Sequence, residues 1–363
     1  MTHSIGPSEE RTELMQQLAA GKYKSLPEVI LSRMGRLIQE ITRHHNPVSH
    51  WYSGTVMALA ILCLSLIISI LLDEFTPLRR ESILLEIFAV TITAAGTVIL
   101  AAYMGNVRAI LHDSILSAIN SSADVIVLRK WLDRAYNPRN HLIFSLAWSI
   151  LLAPFAVIAP LVSSGGFIGV GPTITTLFAG IVAGMVIYFL ILFLTLPARL
   201  SRYEFNLYAA DPGNSEVVQV LSGMLMSGVY MMALFMAGTT LFLTVVSDVY
   251  GILGVVAVIA GWIPIAAWFA LNQYALARII RRAKWRTLNE IQAKIEQLRT
   301  QENIPSEQTL GHLNKLMDYH DRIRSTSNSA LNLRAGLNFL NSLLLPLLAF
   351  VLANLDKILA LFQ

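Results

Sequence analysis

The chain alternates between long apolar runs and short polar connections. A helix rises about 1.5 Å per residue, so roughly 20 apolar residues cross the hydrocarbon layer of a membrane. Six runs reach that length: 54–72, 84–104, 141–163, 173–196, 218–246 and 251–273. They contain no Asp, Glu, Lys or Arg, with the exception of Glu86 at the edge of the second. A seventh run, 335–355, is also long enough but holds Asn338, Asn341 and Pro346. It is read as a C-terminal membrane segment, either spanning or a re-entrant or interfacial helix, because broken backbone in lipid needs protein or water to satisfy it.

The polar stretches show a helical period. In 25–42, Ser25 and Glu28 form a capping box, Pro27 sits in the first turn, and Ile30, Met34, Leu37, Ile38 and Ile41 share a face. Arg33, Arg36 and Arg43 would then meet anionic headgroups, or the apolar stripe packs on the protein's own helices. In the 105–140 connection a helix capped by Ser122 has Val127, Leu128, Trp131 and Leu132 on its apolar side and stops at Asn137-Pro138. After the sixth run the helix continues without a stop. Leu288, Ile291, Ile295 and Leu298 keep a three-four spacing, a short coiled-coil seam. Pro305 breaks the pattern, and a second helix with Leu310, Leu313, Met317 and Ile323 inward makes 276–330 an antiparallel hairpin.

Charge orients this scheme. Lys and Arg number six before the first run, five in 105–140, two in 197–217 and eleven from Arg278 to Arg334. The alternate connections hold Arg79 and Arg80, then none, then none. The positive-inside rule therefore predicts a cytoplasmic N-terminus and six spans arranged as three hairpins with short outer turns at 73–83, 164–172 and 247–250. Trp285 with Arg281, Arg282, Lys284 and Arg286 marks the membrane surface.

Composition agrees: 55% of residues are hydrophobic and only 14% charged, with a mean hydropathy of +0.59, too few charges to coat a water-facing surface. This excludes a soluble enzyme, a disordered protein and a free nucleic-acid binder. The single cysteine, Cys63, lies in an apolar run, so neither a disulfide framework nor a thiolate zinc site is expected. Phosphate-loop, metalloprotease and nucleophile-elbow motifs are missing, so no enzymatic activity, cofactor or metal is expected.

Few residues remain as candidates for chemistry. Ionisable groups in a span are functional candidates because burial in lipid is expensive. Asp73, Glu74, Glu81 and Glu86 could ring an outer mouth and attract cations, or Glu86 is a wet carboxylate paired with Arg79 or Arg80. Small residues allow close helix approach, which makes Gly180 and Gly184 in the fourth span, and Gly251, Gly254, Ala257 and Gly261 in the sixth, candidate helix contacts. The Gly-rich turn 163–173 reads as a hairpin turn. Met224, Met226, Met231, Met232 and Met236 read as adaptable packing, and His44, His45 and His50 as an interfacial collar.

The reading is an all-α, polytopic helical membrane protein in four parts. Residues 1–53 are a cytoplasmic region with an amphipathic helix, 54–273 a six-helix transmembrane domain, 274–334 a cytoplasmic hairpin and 335–363 a C-terminal hydrophobic segment. The expected function is an oligomeric channel or membrane-permeabilising protein gated from the cytoplasmic side, in a bacterial plasma membrane. One alternative is a non-conducting scaffold or sensor. The other is a carrier for a neutral or lipidic substrate using Thr91, Thr93, Thr97, Ser227, Thr239, Thr240, Asn272 and Gln273. The expected partners are the lipid bilayer, further copies of the chain and a cytoplasmic protein bound through 276–330, but no nucleic acid.

Overall fold

The computed structural model describes residues 7–43, 46–72, 77–164, 170–245, 247–301 and 307–327, omitting chiefly the side chains of 77–82, 84–85, 152–164 and 241–257. Two short helices come first, α1 (Pro7–Ala19) and α2 (Leu26–Thr42), followed by α3 (His50–Leu71) and α4 (Pro77–Ile110). A π-helical turn (Leu111–Ile115) leads into the three-residue α5 (Leu116–Ala118), then α6 (Ser122–Ala135), α7 (Pro138–Ser164) and α8 (Val170–Leu200). The last described elements are α9 (Glu216–Val245), α10 (Ser247–Gln301) and α11 (Glu307–Ser325). Among the described residues, the single β pairing is an isolated bridge between Ile119 and Phe205.

Among the described residues, five helices are long and apolar enough to cross a membrane: α3, α4 with its continuation, α8, α9 and α10. The expected six or seven are therefore not all matched. The run 141–163 lies on α7, whose side chains beyond Leu151 are not described, and 335–355 is outside the described residues. The helices α3 and α4, α7 and α8, and α9 and α10 pack in sequential pairs, and α8 also touches α3, α4 and α10.

Glycine sets the closest approach. A Cβ at Gly184 would lie 2.7 Å from the Ser145 Cα, and one at Gly180 would lie 3.1 Å from the Ser149 Cα. The small-residue pair of α8 therefore lets α7 touch its backbone within one chain. Gly261 of α10 meets the flexible end of Met236 on α9. The packing of Gly251, Gly254 and Ala257 is not described.

The polar end of the bundle is continuous with the apolar part. One core cluster runs from Leu14, Leu18 and Tyr23 through Leu111, Ile115 and Trp131 to Phe193 and Trp268. The capping box of α2 forms as read: the Ser25 hydroxyl accepts from the Glu28 N–H, and Glu28 accepts from the Ser25 N–H at 2.8 Å. The inward face of α2 is different, however. Leu31, Gly35 and Ile38 are buried, whereas Leu37 and Ile41 are exposed. The helix has two apolar stripes, and Gly35 at the contact lets α2 sit close to Ser53 of α3, which decides between them.

Smaller corrections have the same origin. Ser121, with no side-chain hydrogen bond, occupies the N-cap of α6, and Val127 faces outward. Asn137 caps α7, its Oδ1 accepting from the Arg139 N–H at 3.0 Å. The helix α10 does continue unbroken for 55 residues. Leu288, Ile291 and Ile295 are buried against Ile323, Leu313, Leu316 and Tyr319 of α11, whereas Leu310 and Met317 are exposed. Pro305 lies outside the described residues.

Candidate functional site

Most of what could carry chemistry lies along α4, the most buried of the five apolar helices. It presents an ionisable group, an apolar cavity and a polar clamp in succession.

The ionisable group is Glu86. It is 5% exposed, between α3, α4 and α8. The Ser65 hydroxyl of α3 and the Thr175 hydroxyl of α8 both donate to its Oε1, the latter at 2.6 Å. Gly171, one turn before Thr175, makes this possible: a Cβ there would lie 2.6 Å from the Ser65 carbonyl oxygen. Ser65 is six residues from the end of α3, or about 9 Å along the axis from that end. Among the described residues, the hydroxyls of Ser65 and Thr175 are the groups that bond Glu86. Asp73 and Glu74 lie outside the described residues, and the side chains of Glu81, Arg79 and Arg80 are not described.

Further along α4 is a cavity of about 150 Å³. Ile92, Ala95, Gly96, Ile99 and Leu100 form its α4 wall, Val186 of α8 contributes, and Met231, Met232, Phe235 and Gly238 of α9 face them. Leu234, on the exposed side of α9, forms the rim. The lining is apolar throughout. Nearby hydroxyls do not enrich it, because Thr91, Thr93, Thr97, Thr239 and Thr240 each donate to a carbonyl one turn back on their own helix. Ser227 likewise donates to the Met224 carbonyl. Asn272 and Gln273 donate across to Leu225 and Met226 of α9. The hydroxyl donors among these groups thus bond within their own helices, whereas the buried Asn272 Oδ1 has no hydrogen-bond partner among the described residues.

The clamp closes around the last turns of α4. Arg108 pairs with Glu28 at 3.0 Å and donates to the Tyr23 carbonyl at 2.6 Å. The Tyr136 hydroxyl donates to the Met104 carbonyl at 2.9 Å, and the π-helical turn follows directly. Tyr23 stacks edge-on against Tyr136 and donates to Asp133 at 3.0 Å. Outside this, Arg129 and Glu13 tie α6 to α1 at 3.0 Å. The 105–140 and 197–217 connections are knitted by Asn120 N–H to the Glu204 carbonyl (2.9 Å) and Asn206 N–H to the Ala118 carbonyl (2.8 Å).

No protein-family model, curated protein or solved structure matches this chain. The clamp was not foreseen from sequence. Glu28 was legible as a cap and Arg108 only as one positive charge among five. Of the hydroxyl cage the sequence shows only that Gly171 and Thr175 are four residues apart; their approach to Ser65 of α3 is a matter of packing.

The basic cluster of α10 divides. Lys284 is buried and donates to the carbonyls of Arg324 (2.8 Å) and Thr326 (2.7 Å), which fastens α11. Arg286 pairs with Glu204 at 2.5 Å, and Arg282 donates to the Arg202 carbonyl at 2.9 Å. Arg281 stays exposed beside Trp285. His44 and His45 lie outside the described residues, and no metal-binding group of three or more occurs among the described ones.

Burial and then the neighbouring Asp133 push the Tyr23 phenol up to about 12. An acid whose pKa is raised by folding contributes stability that is complete below its unfolded value near 10. That stability is lost as the pH rises toward 12. The α1–α2 region should therefore loosen between pH 10 and 12. Proteolysis across an alkaline series should show faster cleavage near Tyr23, and Tyr23→Phe should remove the step.

Proposed function

We propose that the protein is a gated channel in which α4 is the moving element. The observation that carries the reading is the order along α4: a caged carboxyl group, an apolar cavity and a clamped inner end. Apolar constrictions close a pore by excluding water, and carboxylates that line a pore favour cations. A clamp on the inner end can bias two positions of one rigid helix. The proposed topology has six spans, with α7 as the third, the N-terminus in the cytoplasm and a bacterial plasma membrane as the site. The exposed apolar flank of α3, including Leu59, Leu64, Ile67 and Ile70, is the proposed contact between copies in an oligomer.

The test is conductance of the purified full chain in a planar bilayer. Discrete currents are expected, with a standing leak in Ile99→Ser, which wets the cavity, and a lower cation preference in Glu86→Gln. A leak confined to Ile99→Ser and unaffected by Glu86→Gln would keep the pore and discard the carboxyl group. Silence in both the wild type and a folded Ile99→Ser variant would overturn the channel.

The apolar lining itself favours a second reading, a carrier or receptor for a small neutral apolar solute. Dry cavities of about this size accept benzene or xenon. Stabilisation of the wild type by xenon, abolished in Ala95→Phe, together with electrical silence would select it. The exposed Leu310 and Met317 of α11 are the proposed seat of a cytoplasmic partner on the 276–330 hairpin.

A further inference from the structure

The second apolar stripe of α2 faces away from the protein. Leu37 is 51% and Ile41 74% exposed, half-buried Met34 continues the line, and Ile30 ends it packed against the protein's own core. At about 100° per residue, the stripe lies roughly 100° around the helix from the buried Leu31, Gly35 and Ile38. Arg33 borders it, Arg36 lies beyond, and Arg43 ends the helix, all three exposed. Glu40 is the one acidic residue among the exposed positions of α2. The helix α3 begins eight residues after the end of α2, and its Trp51 and Tyr52 are exposed just before the apolar run. Exposed aromatics at the start of a span mark headgroup level. The groove between Tyr52 and the C-terminal turn of α2 places Ile38 and Thr42 beside them.

We infer that α2 lies in the interface of the membrane leaflet on its own side, the Leu37–Ile41 stripe among the acyl chains and the arginines against anionic phosphate headgroups. Charge complementarity and continuity with the aromatic collar of α3 select lipid over a second copy. A helix in the interface buries its apolar face about 5–10 Å into the headgroup–acyl boundary and gains further from anionic lipid. Because Glu28, in the first turn of α2, is the partner of Arg108, leaflet composition acts on the clamped end of α4. The docking holds whether or not the protein conducts.

The experiment uses the full chain with Cys63→Ala and a nitroxide on Ile41→Cys, in vesicles of phosphatidylcholine with or without phosphatidylglycerol. Relative accessibility to oxygen and to a water-soluble nickel chelate reads depth. The same nitroxide on native Cys63, inside α3, verifies insertion of each variant. The expected result is a label shielded from the chelate in anionic vesicles, less so in neutral ones, with Arg33→Glu plus Arg36→Glu abolishing the difference. A label open to the chelate in both lipids would overturn the inference. So would equal depth in both lipids, or crosslinking of Ile41→Cys between two copies.

Discussion

Gly184→Ala should lower the stability of the bundle by about 1–3 kcal/mol, the cost of overpacking a close contact. The added methyl would meet the Ser145 Cα at 2.7 Å, the Trp148 Cβ at 3.0 Å and the Ser145 carbonyl oxygen at 3.1 Å. None of these is the far end of a flexible side chain, so the helices α7 and α8 must separate, and Gly184→Leu should cost more. Gly223 is the control, because a Cβ there meets nothing within 4 Å. Gly223→Ala should be neutral or stabilise by up to roughly 1 kcal/mol through helix propensity. Thermal unfolding of the two alanine variants in detergent, followed by size-exclusion chromatography, compares them directly. Equal midpoints would mean that α7 and α8 are not held at backbone contact.

The second large effect is expected at the clamp. Removing one partner of a buried ion pair leaves an uncompensated charge and costs about 3–5 kcal/mol when burial is complete. The Glu28 side chain is 9% and that of Arg108 23% exposed, which moves Arg108→Ala toward the lower end, about 3 kcal/mol. Glu28 would keep its bonds to the Ser25 N–H and hydroxyl, both 2.8 Å, and the cap of α2 should survive. The damage should therefore fall on the attachment of α1 and α2 to α4. Limited proteolysis should release an N-terminal fragment from Arg108→Ala under conditions that leave the wild type whole. The double variant with Glu28→Gln should recover part of the loss, since no unpaired charge remains. If Arg108→Ala matched the wild type in cleavage rate, the pair would not be what holds α4.

The sites were legible in the sequence to different degrees. Glu86 stood out as the one charge in the six apolar runs, because a charge in lipid is costly and rare. Its bonding partners were not legible: the sequence offered an outer acidic mouth or a pairing with Arg79 or Arg80, and the hydroxyls of Ser65 and Thr175 came into view only with the packing of α3 and α8. The reading of α2 was half available. Ser25, Pro27 and Glu28 act on their own helix, so the cap could be read locally. The choice of buried stripe depended on Gly35 meeting α3, which no helical period contains.

The sequence by itself determined what depends on local physics. Run length and the lack of charge specified apolar helices, the capping box specified where α2 begins, and an unbroken helical pattern specified the continuation of α10. What the tertiary structure alone decided involves partners distant along the chain. Arg108 found Glu28, Lys284 found the carbonyls closing α11, and Gly184 found the backbone of α7. The cavity beside Gly96 belongs to the same group, since an empty space is defined by walls from three helices. Hydrophobic burial is nondirectional and says only that a face is covered. Which neighbour covers it is decided by hydrogen-bond geometry and by the few places where one helix can touch another.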